Sequence, residues 1–366
     1  MSPDRPSPRA GSDAGPERGP VRAGSADGGR TRRRRSARLV RPVLTVVLVV
    51  VLVVAAVLAR GRIADWWQTL IGVRWQWALV AAAVQLVSVQ CVVQVQRVLL
   101  RAGGARAPVG TLTTLTYAGN AISIGVPVAG AAASAAYTYR RLRDLGTSTA
   151  LVGWVLAVSG IASTVTLAAV LAVGSAVTGS AVGAIGAFVA TAVAVLPVLG
   201  AVLAIRHAPT RSVLVRVLQR GARLLGRWVQ ALRGTEVERR VDDLLTSLGS
   251  FRLGAKGAAA TGFLSLANWV LDAGCLALAV VAVGAPVPWQ GLLLVWAAGA
   301  VVSSTRLTPG GIGVVETALA SALVAAGLPA SSAVPAVVVY RLVSLWLLAG
   351  IGALCLVAGP RTVPSR

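Results

Sequence analysis

Apolar residues run in long unbroken stretches from about residue 39 to 358, separated by short clusters rich in Arg, Gly and Pro. The stretches are continuous in Val, Ala and Leu and do not alternate with polar residues. That pattern predicts helices buried on all sides, not half-exposed strands. A helix needs about 20 residues to cross a hydrocarbon core of roughly 30 Å. Stretches long enough to do so lie at about 39–59, 77–100, 148–174, 181–205, 257–283 and 331–358. Two regions depart from this regularity. The first consists of short apolar pieces at about 110–126 and 129–139, split by Val126-Pro127-Val128-Ala129-Gly130. The second consists of pieces at about 289–305 and 312–327, split by Leu307-Thr308-Pro309-Gly310-Gly311-Ile312-Gly313.

The two interrupted regions resemble each other. Each has a Pro (Pro127, Pro309) followed by small residues, a helical piece, a Gly (Gly146, Gly327) and a new span. If the short pieces re-enter the membrane as hairpins, the first pair starts and ends inside and the second starts and ends outside, the arrangement of an inverted repeat. Crossing fully, they would give ten spans instead. Several pieces are shorter than about 18 residues, which favours hairpins. The expected fold class is therefore an all-α integral membrane protein with about six full transmembrane helices and two broken, re-entrant helix pairs.

Charge orients this arrangement. The chain carries 35 Lys or Arg against 12 Asp or Glu, a net charge of +23. Such a balance alone would suggest nucleic acid. The basic residues, however, sit beside apolar spans, and 30 of the 35 fall in segments that one topology places inside: 1–41, 97–106, 140–143, 206–256 and 361–366. The positive-inside rule then puts both termini in the cytoplasm of a cell-membrane protein, and no nucleic-acid partner is expected. Trp66, Trp67, Trp75 and Trp77 crowd the first outside loop, as interfacial aromatics do. The first apolar stretch exceeds the roughly 7–15 residues of a signal-peptide core, so an uncleaved anchor is expected.

The domain organisation follows. Residues 1–38, rich in Pro, Gly, Ser and Arg, read as a disordered basic tail. Residues 39–205 and 257–358 are the two membrane halves, and 359–366 is a short cytoplasmic tail. Segment 206–256 carries an amphipathic helix in which Val213, Leu214, Val217, Leu218 and Leu224 oppose a stripe of Arg216, Arg220, Arg223 and Arg227. Such a helix lies on a membrane surface facing anionic headgroups.

The chemistry available is narrow. Cys91, Cys275 and Cys355 lie far apart in apolar runs and read as packing residues, and His207 is the only histidine. Neither a metal cluster nor a Ser-His pair can be assembled, no phosphate-binding P-loop sequence occurs, and no cofactor is expected. These features argue against an enzyme. The ionisable residues at membrane depth are Asp272, Arg306, Glu316 and Arg341. Each costs roughly 2.5–3.5 kcal/mol to insert, so such groups are usually paired or line a polar path. Glu316 falls in the first turn after the Pro309 break, where the helix dipole favours an acid. A Glu316–Arg341 bridge is one reading, a headgroup pathway the other, and the two are compatible. Helix starts near Val128 and Ile312 would aim free N–H groups inward at an anion.

At Pro309-Gly310-Gly311-Ile312-Gly313-Val314-Val315-Glu316, followed by Tyr340-Arg341-Leu342 in the next span, the chain resembles the lysylphosphatidylglycerol synthase transmembrane, or flippase-like, domain family. The family's pattern is a Pro-Gly-Gly-x-Gly-x-x-Glu turn and helix, then Tyr-Arg-Leu. Asn120 to Gly130, with Pro127 between, is a diluted copy of an earlier Asn-x-x-x-Pro-Gly-like segment. The resemblance implies movement of a phospholipid or lipid-linked headgroup between leaflets. Asp272, Arg306 and Tyr340 join these motif residues as candidate binding positions. Bifunctional members carry a cytosolic aminoacyltransferase after the membrane part. Here the sequence ends at Arg366, so a stand-alone transporter is expected, working with membrane phospholipids and a separate lipid-modifying synthase or glycosyltransferase. A secondary transporter of a small polar solute, or a membrane scaffold, are the alternatives.

Overall fold

A computed structural model describes residues 72–126, 129–179, 251, 253–305 and 308–358. The expected spans at 39–59 and 181–205, the basic tail and most of the amphipathic segment lie outside the described residues. Within them all regular structure is helical. In chain order the helices are α1 (Trp75–Ala102), α2 (Val109–Gly125), α3 (Gly130–Asp144), α4 (Thr149–Thr178), α5 (Ala255–Ala282), α6 (Trp289–Thr305), α7 (Val314–Ala325) and α8 (Ala330–Ala358). Four of them, α1, α4, α5 and α8, are long and apolar enough to cross a membrane, so the chain is multi-pass.

Helix ends follow from local chemistry. α1, α3, α5 and α7 each stop at a left-handed glycine: Gly104 (φ 81°), Gly146 (φ 82°), Gly284 (φ 76°) and Gly327 (φ 100°). In each case the next residue's N–H turns back to a carbonyl five positions earlier, as in Ala105 N–H to Leu100 O (2.9 Å) and Leu328 N–H to Leu323 O (3.0 Å). The following helices begin behind Pro108, Pro288 and Pro329, or, for α4, behind Ser148, whose hydroxyl accepts the Leu151 N–H at 3.2 Å. One boundary differs from the sequence reading. α3 runs on through residues 140–143, past the end of the apolar piece at about 139, and Leu142 is fully buried there in one core with Leu99, Leu112 and Val152.

The helices pack across the two halves of the chain. α1 runs antiparallel along α5, joined at one end by Arg74 N–H to Ala282 O (2.8 Å) and midway by Ser88 Oγ to Asn268 O (2.9 Å). α2 pairs with α3, and α6 with α7, each pair at glycine-permitted distance. A Cβ on Gly119 would lie 2.8 Å from Ser134 Oγ, and one on Gly299 2.4 Å from Leu319 Cδ2. α2 also packs on the C-terminal part of α8, and α6 on α4. Outward side chains are apolar: Leu79, Phe263 and Leu354 are 70%, 72% and 70% exposed, as lipid-facing positions should be.

Two apolar cores flank a polar middle. Along α1, Ala78 and Ala81 belong to the first core and Val93, Val95 and Leu99 to the second. Gln85 and Ser88 fall between them, both buried. A buried polar group in an apolar setting needs partners, and this middle layer is where the candidate site lies.

Candidate functional site

The Pro-Gly-Gly-x-Gly sequence folds as it does because three of its residues take positive φ: Gly310 at 60°, Gly311 at 71° and Gly313 at 87°. L-residues reach that region at a cost of about 1–2 kcal/mol each, so glycine is the economical choice at all three. Space is also short, since a Cβ on Gly311 would meet Val315 Cγ2 at 2.5 Å. Pro309–Gly311 form a single 3₁₀ turn and α7 starts after Gly313. Glu316 then folds back, and its Oε2 accepts the Gly313 N–H at 2.6 Å. The reciprocal half of a capping box cannot form, because glycine has no side chain.

Arg341 locks this break from the neighbouring span. Its Nε donates to Glu316 Oε1 at 2.6 Å and its Nη2 to the Gly310 carbonyl at 2.5 Å. The guanidinium thereby ties the turn before α7 to the first turn of α7. Arg341 is 7% exposed, so both bonds form where water competes little.

One residue before Arg341, Tyr340 points to a second acid. Its hydroxyl donates to Asp272, 3.3 Å from Oδ1 and 3.2 Å from Oδ2, and the Trp296 indole N–H donates to Asp272 Oδ2 at 2.9 Å. Asp272, Tyr340 and Arg341 line a cavity of about 370 Å³. Each of the four long helices contributes from near its middle: Gln85 and Ser88 from α1, Ser163 from α4, Asn268 and Asp272 from α5, Tyr340 from α8. Both broken regions reach it too, through Asn120 and Ser123 of α2 and through Thr308, Gly310 and Gly311.

Of the residues singled out in the sequence, Asn120, Asp272, Gly310, Gly311, Tyr340 and Arg341 share this cavity. Glu316 and Gly313 stand behind it, joined to each other and to Arg341. Pro309 opens the 3₁₀ turn. Gly130 faces elsewhere: a Cβ there would lie 2.3 Å from the Ser123 carbonyl, so it lets α3 approach α2. Pro127 and Arg306 lie outside the described residues. The expected free helix start near Ile312 is not free in one respect, because Glu316 of the same helix takes the Gly313 N–H.

Sequence reasoning missed most of the uncharged lining. Gln85, Ser88, Ser163, Asn268 and Ser344 were passed over as single polar residues in apolar spans. A signal existed. Gln85 and Ser88 are three apart, Asn268 and Asp272 four apart, and Arg341 and Ser344 three apart, so each pair shares a helix face. Trp269, also on the lining, donates its indole N–H to the Ser163 carbonyl at 2.8 Å and fixes α4 against α5.

A search of curated proteins returned no match. A scan against protein-family models did, over residues 43–352, which takes in every element described above except the end of α8. The chain belongs to the lysylphosphatidylglycerol synthase TM region family, a membrane family of lipid-related function.

Proposed function

We propose that this protein moves the polar headgroup of a phospholipid or lipid-linked molecule between leaflets, the acyl chains staying in the bilayer. The observation that carries this reading is the polar cavity at the mid-length of four apolar spans, lined by both broken helix regions. Polar walls at that depth have a use if something polar passes.

The same reading takes α2–α3 and α6–α7 as re-entrant pairs of an inverted repeat. Their helices of 17, 15, 17 and 12 residues are about 26, 23, 26 and 18 Å long at 1.5 Å per residue, short of the roughly 30 Å core. Gly146 and Gly327, at matched distances after Pro127 and Pro309, end their helices with the same left-handed turn. Each pair packs on a long helix of the other half, α2 on α8 and α6 on α4. The protein works without chemical catalysis in this reading. It resides in the cell membrane with both termini cytoplasmic, beside a separate synthase or glycosyltransferase that supplies its lipid.

The test is headgroup translocation by purified protein in proteoliposomes, followed with chain-labelled lipids and a leaflet-restricted quencher. Movement above protein-free vesicles, lost on Asp272→Leu without loss of helicity, is the expected result. Folded protein that moves no member of a panel spanning neutral, anionic and cationic headgroups would overturn the proposal.

A further inference from the structure

The charges of the described residues that line the cavity are already spoken for. Among the described lining residues Arg341 is the one cation, and its guanidinium is engaged by Glu316 and by the Gly310 carbonyl. A phosphate entering the cavity would have to share that arginine with a carboxylate 2.6 Å from its Nε. Asp272 is similarly engaged. Both of its oxygens accept hydrogen bonds from groups of the protein, Oδ1 from Tyr340 and Oδ2 from Tyr340 and Trp296. What the other described lining residues offer is uncharged: amides at Asn120 and Asn268, hydroxyls at Ser163, Thr308 and Ser344, and the indole of Trp269.

One atom asks for a ligand of a particular kind. Gln85 is 5% exposed, lines the cavity, and its Oε1 is a buried acceptor with no hydrogen-bond partner among the described residues. Three further buried atoms lack partners among the described residues, Gln96 Oε1, Arg97 Nε and Thr261 Oγ1, and none of those residues lines this cavity. An unpaired buried acceptor costs about 1–3 kcal/mol, which a donor from an occupant would relieve. A phosphodiester has no donor to give it. An ammonium group has donors but no acceptor for the Asn120 and Asn268 amide N–H groups. A hydroxyl both donates and accepts, and a ring carrying several can stack its C–H face on an indole.

We propose that the cavity receives an uncharged polyhydroxyl moiety, a sugar ring or a polyol. This rests on the headgroup-translocation reading for its lipid form. The cavity chemistry itself would serve a free sugar equally. The volume of about 370 Å³ lies at the small end of the roughly 300–1,000 Å³ of small-molecule sites, which suits one such unit.

The experiment uses the full chain in proteoliposomes with four chain-labelled lipids: glucosyl diacylglycerol, diacylglycerol, phosphatidic acid and a trimethylammonium diacyl lipid. In parallel, methyl glucoside is tested for uptake into the same vesicles and for saturation-transfer NMR contact with protein in a zwitterionic detergent. The expected result is glucosyl-lipid movement at least tenfold faster than either charged lipid, and reduced at least tenfold by Gln85→Leu. Asn120→Leu, on a different helix, is the second variant should the first not fold. Contact and uptake of methyl glucoside with no lipid moved would keep the polyhydroxyl site and sink the lipid reading. Movement of a charged lipid in preference to the glucosyl lipid, unaffected by Gln85→Leu and Asn120→Leu, would sink the polyhydroxyl site and keep the lipid reading. Folded protein that neither moves nor contacts any of these compounds would overturn both.

Discussion

Removing the Arg341 guanidinium tests the clamp at the second break. In Arg341→Met the stem stays and two hydrogen bonds go, one of 2.6 Å to Glu316 and one of 2.5 Å to the Gly310 carbonyl. Losing one partner of a buried ion pair costs about 3–5 kcal/mol. Here the carboxylate is not wholly buried, because the Glu316 side chain is 25% exposed, and it keeps the Gly313 N–H. The expected loss is therefore about 3 kcal/mol, a factor of about 10² in the folded-to-unfolded ratio. Glu316→Gln keeps the shape but leaves a single acceptor oxygen, so one of the two bonds gives way to an NH2 facing a donor and the other loses its charge, for about 2–3 kcal/mol. The double variant should lose less than the sum, by about 1.5 kcal/mol, since each single change removes the same contact. Reversible unfolding in mixed micelles, read by helicity, supplies all four corners of the cycle. Additivity within about 0.5 kcal/mol would refute the clamp, as would an Arg341→Met loss below about 1 kcal/mol.

Two further outcomes follow from backbone geometry. Gly352→Ala places a Cβ 2.3 Å from the Tyr117 carbonyl and 2.7 Å from Ala121 Cβ, so α8 and α2 must part, at about 1–3 kcal/mol. Gly350→Ala, in the same helix and with nothing within 4 Å, should be neutral or slightly stabilising; equal losses in the two, measured by thermal unfolding in detergent, would refute the close-approach argument. Gly310→Ala must hold φ near 60° with Leu345 Cδ1 3.1 Å away, at about 1–2 kcal/mol; Gly310→Asn should lose less, because Asn tolerates that region, and the same assay ranks them.

How much of this was legible beforehand depends on which interaction carries the feature. The long helices declared themselves through length and hydropathy, and the second break through Pro309 and its glycines, because those properties belong to single residues or short runs. Glu316 and Arg341 were conspicuous for the same reason: a charge at membrane depth is costly wherever it points. Their pairing was one of two readings, because 25 positions separate them and only tertiary packing brings Nε to Oε1. The apolar piece stops short of the end of α3, because the basic residues after 139 mask Leu142, whose burial only tertiary packing reveals. Gln85, Ser163 and Asn268 went unnoticed because an isolated amide or hydroxyl in a span is commonplace. Three helices had to converge before those residues became a wall.

α8 explains how one span can serve both broken regions. Tyr340 and Arg341 near its middle reach Asp272, Glu316 and Gly310, whereas Gly352 further along packs on α2. At about 100° per residue, the twelve steps from Tyr340 to Gly352 would leave these two positions about 120° apart around a regular helix. Leu342–Leu347, between them, is π-helical. A π turn adds one residue to a turn and sets the phase back by about 100°, which brings the two positions back to within about 20° of each other. Ser344 and Leu348 fall on the stripe so formed, and both line the cavity with Tyr340. The irregularity therefore gives α8 one continuous stripe that meets Asp272 at Tyr340, walls the cavity at Ser344 and seats α2 at Gly352, while Arg341, one step or about 100° around from Tyr340, fastens the α6–α7 break beside it.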